Sequence, residues 1–332
     1  MSDRNAVVSA PKSPAKVGKP PHKNMVWVPG GTFMMGSNRH YPEEAPAHRR
    51  SVSGFWMDQY LVTNADFERF VESTGHVTVA ERIPEAALYP GALPHMLVAG
   101  SVVFREPRGS VDLRNPSWWH YVPGADWRHP EGPQSSIKSR MDHPVVHVAF
   151  EDVEAYARWM GKELPTEAEW ESAARGGLNG AVFTWGDELS PGGKIMANTW
   201  EGEFPVVNLQ LDGFERTSPV GYFPANGYGL YDMAGNVWEW TAEWYQSYRK
   251  PVGACCSGSA RPDAREDSLD PRTPDIRIPR KVLKGGSFLC AANYCFRYRP
   301  AARIAQQVDT GTCHQGFRCI VRVKTEDGCA GE

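Results

Sequence analysis

Apolar residues come in short bursts along this chain, and their spacing predicts short elements separated by irregular stretches. Met25 to Gly36 reads as strand, Pro-Gly-Gly turn and strand, and Ser51 to Tyr60 as another strand. Between Leu61 and Gly75, Phe67, Phe70 and Val71 fall at helical spacing, with Thr63 or Asn64 as N-cap and Gly75 closing the helix. A second amphipathic helix covers Asp152 to Lys162, with Val153, Tyr156, Trp159 and Met160 inward and Gly161 near its end. A third opens after Leu164-Pro165, where Thr166 and Glu169 have capping-box spacing and Ala168, Ser172 and Ala173 allow close packing. Glu169 therefore reads as a cap before it reads as a catalytic base.

Elsewhere the pattern is weaker. Residues 84 to 140 carry little periodicity, and so long an irregular stretch inside a domain usually has a function or a partner. Its tryptophans, Trp118 and Trp119 among them, suit either that role or the core. His143 and His147 have the spacing of a helical metal pair, but Pro144 to Phe150 reads as a strand. Four strand residues span about 13 Å, too far for one ion. Thr184 to Thr241 is mostly turns, with a short helix expected near Val237. Residues 250 to 280 read as a polar surface loop, Lys281 to Leu289 as a strand and Gly316 to Val323 as a late strand. The expected organisation is a tail over 1–24, one domain over 25–323 and a second tail over 324–332.

Composition narrows the class. With 32 Gly, 27 Pro and 12 Trp among 332 residues, a loop-rich α+β fold is expected rather than long helices or wide sheets. No apolar run reaches the roughly 18 residues of a membrane span. A net charge of -3 gives no general pull toward nucleic acid or an acidic membrane. The 7 cysteines are odd in number and all lie in the last quarter, unlike a disulfide-stapled secreted chain. The first residues hold no apolar core of a signal peptide, so a cytoplasmic location with mostly free thiols is expected.

Three groups could carry chemistry. Cys290 and Cys295 lie five apart, after Gly285-Gly286 and before an Arg/aromatic run. Thiolates are nucleophiles and soft-metal ligands that suit Cu(I), but the same spacing fits a local disulfide or two buried thiols. Oxygen donors gather from Asn198 to Phe214 and from Asp232 to Glu239. Neither has EF-hand spacing, and from the residues alone solvated turns and caps are the favoured reading over calcium. Arg297, Arg299, Arg303 and Arg318 more often satisfy buried carbonyls and carboxylates than touch substrate.

The segments Leu283-Lys284-Gly285-Gly286-Ser287-Phe288-Leu289-Cys290, Tyr294 to Arg299, Ala301-Ala302-Arg303 and Gly316-Phe317-Arg318 resemble the formylglycine-generating enzymes, the sulfatase-modifying factors. The resemblance runs from about Met25 to Val323. It implies that family's fold, within the C-type-lectin-like superfamily. It further implies an oxidase that uses O2 to convert the cysteine of Cys-x-Pro-x-Arg in an unfolded sulfatase to formylglycine. By position, Cys290 and Cys295 would hold Cu(I). Trp238, Ser287 and Tyr294 would line a shallow peptide groove, and the loop with His314 would contribute to peptide binding; the irregular stretch of residues 84 to 140 adds Trp118 as a further expected peptide contact. Where many relatives have Asn, this chain has His314. One structural Ca2+ would be held by Asn198, Thr199, Asp212 and Phe214, with backbone carbonyls from Thr199 and Phe214. A second would be held by Asp232, Gly235, Val237 and Glu239, with carbonyls from Gly235 and Val237. A monomer without nucleic-acid or membrane partners is expected. The alternatives are a non-catalytic peptide-binding relative and a sulfoxide synthase. The intact cysteine pair opposes the first, and the second needs an added three-histidine domain for which no segment is suitable.

Overall fold

The computed structural model describes residues 18–109, 111–248 and 264–323. Residues 1–17 of the expected tail, residue 249 and 250–263 of the expected loop with Cys255 and Cys256, and the 324–332 tail with Cys329 lie outside the described residues.

In chain order the described strands are β1 (Met25–Val28), β2 (Gly31–Met35), β3 (His48–Val52), β4 (Phe55–Asp58), β5 (Gly100–Phe104), β6 (Trp119–Pro123), β7 (Trp238–Trp244), β8 (Arg280–Lys284), β9 (Arg303–Gln307), β10 (Gln315–Gly316) and β11 (Ile320–Arg322). The α-helices are α1 (Asn64–Thr74), α2 (Phe150–Trp159) and α3 (Glu167–Arg175). Among the described residues, no helix is long and apolar enough to cross a membrane.

The two ends of the domain meet in one antiparallel sheet, β1-β4-β11, where Met57 lies opposite both Val26 and Ile320. α3 closes this sheet, burying Trp170, Ala173 and Ala174 against Val28, Phe55, Met57 and Ile320. A four-stranded sheet, β10-β7-β8-β9, carries the rest; β10 is parallel to β7 and the other pairs are antiparallel. β2 pairs with β3, and β5 with β6.

The helix caps agree with the sequence. Thr63 Oγ1 accepts from the Asp66 N–H at 3.1 Å, and Gly75 ends α1 at φ +68°. In α3, Thr166 Oγ1 accepts from the Glu169 N–H at 3.2 Å, while Glu169 accepts from the Thr166 N–H at 2.8 Å. α2 starts at Phe150, earlier than expected, and Trp159 is 40% exposed rather than inward. It lies at the helix end, with its ring tilted against Phe70 at 5.6 Å and Tyr156 at 5.8 Å.

Other expectations are corrected. The segment after Val237 is strand β7, not a helix: Trp238 to Thr241 are all buried, and β10 and β8 pair with its two edges. Aromatic and β-branched residues between paired neighbours favour that state. Ser51 to Tyr60 is split into β3 and β4 by an unpaired Ser53-Gly54, where a Cβ on Gly54 would lie 2.3 Å from the Trp27 ring. β8 stops at Lys284, before Gly285 at φ +94° and Gly286 at φ +75°. The late strand is interrupted between β10 and β11. Pro144 to Phe150 is not a regular strand; His147 sits at φ +59°, and its N–H donates to Thr312 O. His143 Nδ1 bonds Thr217 Oγ1 at 3.0 Å, whereas His147 bonds Ser101 Oγ and Pro130 O, both at 2.8 Å. The two rings thus have separate partners.

Buried ion pairs set β8, α3 and the arginine run against one another. Lys284 Nζ lies 2.9 Å from Glu171, Arg303 binds Glu167 at 2.7 and 2.9 Å, and Arg299 donates to Glu44. Pairs of this kind are costly to break singly, and so hold the chain leaving β8 in one position.

Candidate active site

β8 feeds the chain into the two positive-φ glycines. A Cβ on Gly286 would meet Tyr298 backbone at 2.9 Å, so only glycine permits this close return. Two tight turns follow: Ser287 O accepts the Cys290 N–H at 2.9 Å, and Ala291 O accepts the Cys295 N–H at 2.8 Å. They bring the two Sγ atoms to 3.2 Å. A disulfide would need about 2.05 Å, and both cysteines are free thiols.

The two sulfurs differ in environment. Cys290 is buried, and its Sγ accepts from the Ser287 N–H at 3.4 Å. Burial, then the neighbouring Cys295, pushes the Cys290 thiol well up. Cys295 is lowered to about 7, first by the hydrogen bond from Cys290 and then by Arg297, against burial. Of the two, Cys295 is therefore the sulfur that ionises more readily. Arg297 Nη1 lies 3.8 Å from Cys295 Sγ, while Nη2 donates to Glu43 at 2.6 Å. The guanidinium also lies 3.6 Å from the centre of the Tyr41 ring, and Tyr41 Oη accepts from the Phe296 N–H at 2.9 Å. Sequence reasoning missed this clamp, since Tyr41 and Glu43 lie some 250 residues away and carry no motif. Arg299, Arg303 and Arg318 do pair with buried carboxylates, as expected.

Of the residues expected along a peptide groove, Tyr294 is open, at 38% exposure. Its ring stacks on Phe204 at 4.6 Å and meets the edge of Trp118 at 5.6 Å. Trp118 itself is fully buried in a cluster with Phe104, Trp200, Phe204 and Phe288, so it supports Tyr294 from beneath rather than facing outward. Ser287 is buried behind Cys290, where its Oγ accepts from the Leu289 N–H at 3.3 Å. Trp238 is buried in the apolar cluster that contains Cys290, and its N–H donates to His314 O at 2.8 Å. His314 stacks on Trp119 at 4.9 Å, bonds Thr312 Oγ1 at 2.7 Å and is held neutral by burial.

Among the described residues, no group of three or more His, Cys, Asp or Glu is placed to hold an ion. A metal at Cys290 and Cys295 would have two sulfur ligands from the protein, a donor set that fits Cu(I) and not a hard cation. The two oxygen-rich turns abut each other: Asn198 O accepts the Asn236 N–H at 2.9 Å, and a Cβ on Gly235 would stand 2.3 Å from that oxygen. Asp212 is raised to about 6 by burial, with Glu201 adding to the effect; it accepts N–H bonds from Phe214 at 2.9 Å and Thr199 at 3.3 Å. Such a carboxylate, with no ion pair among the described residues, fits Ca2+ together with Asn198 and the Thr199 and Phe214 carbonyls. In the second set Asp232 is likewise raised to about 6 by burial. Glu239, however, already accepts from Arg318 through both oxygens, at 2.8 and 2.9 Å. The fit there rests on Asp232 and the Gly235 and Val237 carbonyls, and Arg318 competes for Glu239.

Residues 11–323 match the family model described as "Sulfatase-modifying factor enzyme 1-like domain". The chain is 53% identical over 300 residues to the formylglycine-generating enzyme of Mycobacterium tuberculosis, covering 89% of this chain and 97% of that protein. It is 39% identical over 303 residues to the inactive C-alpha-formylglycine-generating enzyme 2 of Mus musculus, covering 89% and 84%. Among solved structures, PvdO from Pseudomonas aeruginosa shares the fold with a TM-score of 0.60 at 24% identity, covering 90% of this chain and 94% of that one. With its loop-rich α+β fold and its paired cysteines, the chain belongs to the formylglycine-generating enzyme family, the sulfatase-modifying factors.

Proposed function

We propose that this protein converts the cysteine of a Cys-x-Pro-x-Arg segment in an unfolded sulfatase to formylglycine, with O2 as electron acceptor. The observation that carries the reading is the approach of Cys290 and Cys295 to 3.2 Å as free thiols. Cu(I) held by these two sulfurs would supply O2 activation and an open position for the substrate thiol. The protein's own residues supply the rest. Cys295 is the sulfur eased toward ionisation, Cys290 would lose its proton to become the second ligand when the metal binds, and Arg297 places positive charge beside the pair. Tyr294 presents an apolar face to an extended chain beside the sulfurs. In the overall change the substrate CH2–SH group gives two electrons and two hydrogens, one from Cβ and one from sulfur, to O2, which becomes peroxide, and a thioaldehyde is left. Water then replaces its sulfur, which leaves as sulfide.

Two Ca2+ are proposed as structural ions, at Asn198, Thr199, Asp212 and Phe214 and at Asp232, Gly235, Val237 and Glu239. The free thiols suit a reducing cytoplasm. The resemblance to an inactive relative leaves a second reading, a peptide-binding module without turnover. One experiment separates them. A Cys-x-Pro-x-Arg peptide, incubated in air with the reduced, copper-loaded protein, is followed by mass spectrometry. Loss of the mass difference between CH2SH and CHO is expected; a peptide bound but unchanged supports the binding module instead.

A further inference from the structure

We propose that a cavity beside the cysteine loop is a side-chain subsite for one large apolar residue of the peptide substrate, close in sequence to the reacting cysteine. This rests on the reading of the chain as a peptide-modifying enzyme. The cavity measures about 220 Å³, and its walls include Trp185, Leu189, Ile195, Met196, Trp200 and Ala292.

Its position ties it to the sulfurs. The Trp200 N–H donates to Cys290 O at 3.1 Å, and Trp200 bridges Ala291. Ala292, two residues after Cys290, is exposed and forms part of the wall. Tyr298, four residues beyond Tyr294, forms another part. A chain that places its cysteine at the Cys290/Cys295 pair can therefore reach the cavity with a neighbouring residue, since an extended chain advances about 3.3 Å per residue.

Size and chemistry select the occupant. An apolar cavity of about 150 Å³ takes a benzene, so this one holds a leucine, methionine or phenylalanine side chain. Sites for drug-sized ligands start near 300 Å³. The polar side chains on the wall include Ser190, Thr199, Glu201 and Tyr298, with no Lys, Arg or His among the lining residues. The Glu201 carboxylate, which accepts the Asp212 N–H at 2.8 Å, disfavours an acidic side chain.

The test uses the full chain and peptides with a fixed Cys-x-Pro-x-Arg core. Leu, Phe, Ala and Asp are placed in turn at each position within three residues of the cysteine. Conversion is measured as kcat/KM, and binding as Kd by fluorescence anisotropy of the same peptides with Ser in place of Cys. At one position Leu or Phe is expected to exceed Ala by about tenfold in both, the scale of a few buried methylenes, with Asp poorest. Ala292→Trp and Ile195→Trp, each checked for an unchanged melting transition, are expected to collapse the Leu-to-Ala ratio toward one. Equal affinities at every position, or a ratio that survives in both filled variants, overturn the subsite. If no peptide is converted, the catalytic reading falls, and the serine peptides still decide the subsite.

Discussion

The guanidinium of Arg297 links Cys295 to Glu43: its Nη1 lies 3.8 Å from Cys295 Sγ and its Nη2 lies 2.6 Å from Glu43. A fixed positive charge beside a thiol favours the thiolate. The hydrogen bond from Cys290 and this charge together lower Cys295 to about 7. In reduced, metal-free protein, alkylation of Cys295 by iodoacetamide should thus rise through a midpoint near that pH, below the usual thiol range. Removing the cation removes thiolate stabilisation, so Arg297→Gln should move the midpoint up, and Arg297→Lys should move it less. An unchanged midpoint in Arg297→Gln would show that Cys290 alone sets the charge.

Copper stoichiometry tests the sulfur pair directly. The reduced protein should bind one Cu(I), and oxidation of Cys290 and Cys295 to a disulfide should abolish binding until the thiols are restored. Cys290→Ser and Cys295→Ser should each lose tight binding and turnover. Cys313→Ser, Cys319→Ser and Cys329→Ser should largely keep turnover. Cys313 instead accepts the Phe104 N–H at 3.3 Å inside the aromatic cluster, and Cys319 is a fully buried thiol. Retained one-to-one binding in either of the first two variants would defeat the two-thiolate site.

The two carboxylates proposed for Ca2+ should behave differently. Ca2+ should raise the melting temperature of the wild type by binding the native state, and a strong chelator should reverse it. Asp212→Ala should remove much of that response. Glu239→Ala should instead lower the melting temperature with or without Ca2+, because it leaves Arg318 buried and unpaired. Identical melting of the wild type in Ca2+ and in chelator would count against both ions.

Arg299 and Glu44 are both buried and pair with each other. Arg299→Met should cost about 3–5 kcal/mol, read from denaturant unfolding, since it strands a buried carboxylate. The double variant Arg299→Met with Glu44→Leu should recover a good part of that loss. A single variant as stable as the wild type would mean that the region from Tyr41 to Glu44 does not brace the cysteine segment.

What the sequence determines by itself is whatever closes within a few residues. The Thr166–Glu169 capping box, the end of α1 at Gly75 and the glycine turn before the cysteines are short-range geometry, and all appear where local spacing puts them. The resemblance of the cysteine region to its family is legible for the same reason, being carried by nearly contiguous residues.

Only the tertiary structure decides the rest, because the partners come from far along the chain. β7 is a strand because β8 and β10 flank it, a fact absent from its own residues. Trp118 is buried because Phe204 and Tyr294 cover it from other segments. Cys295 ionises more readily than Cys290 because burial and charge differ between them, and the distant Glu43 and Tyr41 hold the Arg297 guanidinium that contributes to that difference. A one-dimensional pattern records which groups are available. Burial and the placing of charge arise only when remote segments pack together, and they decide which group is ionised and which is covered.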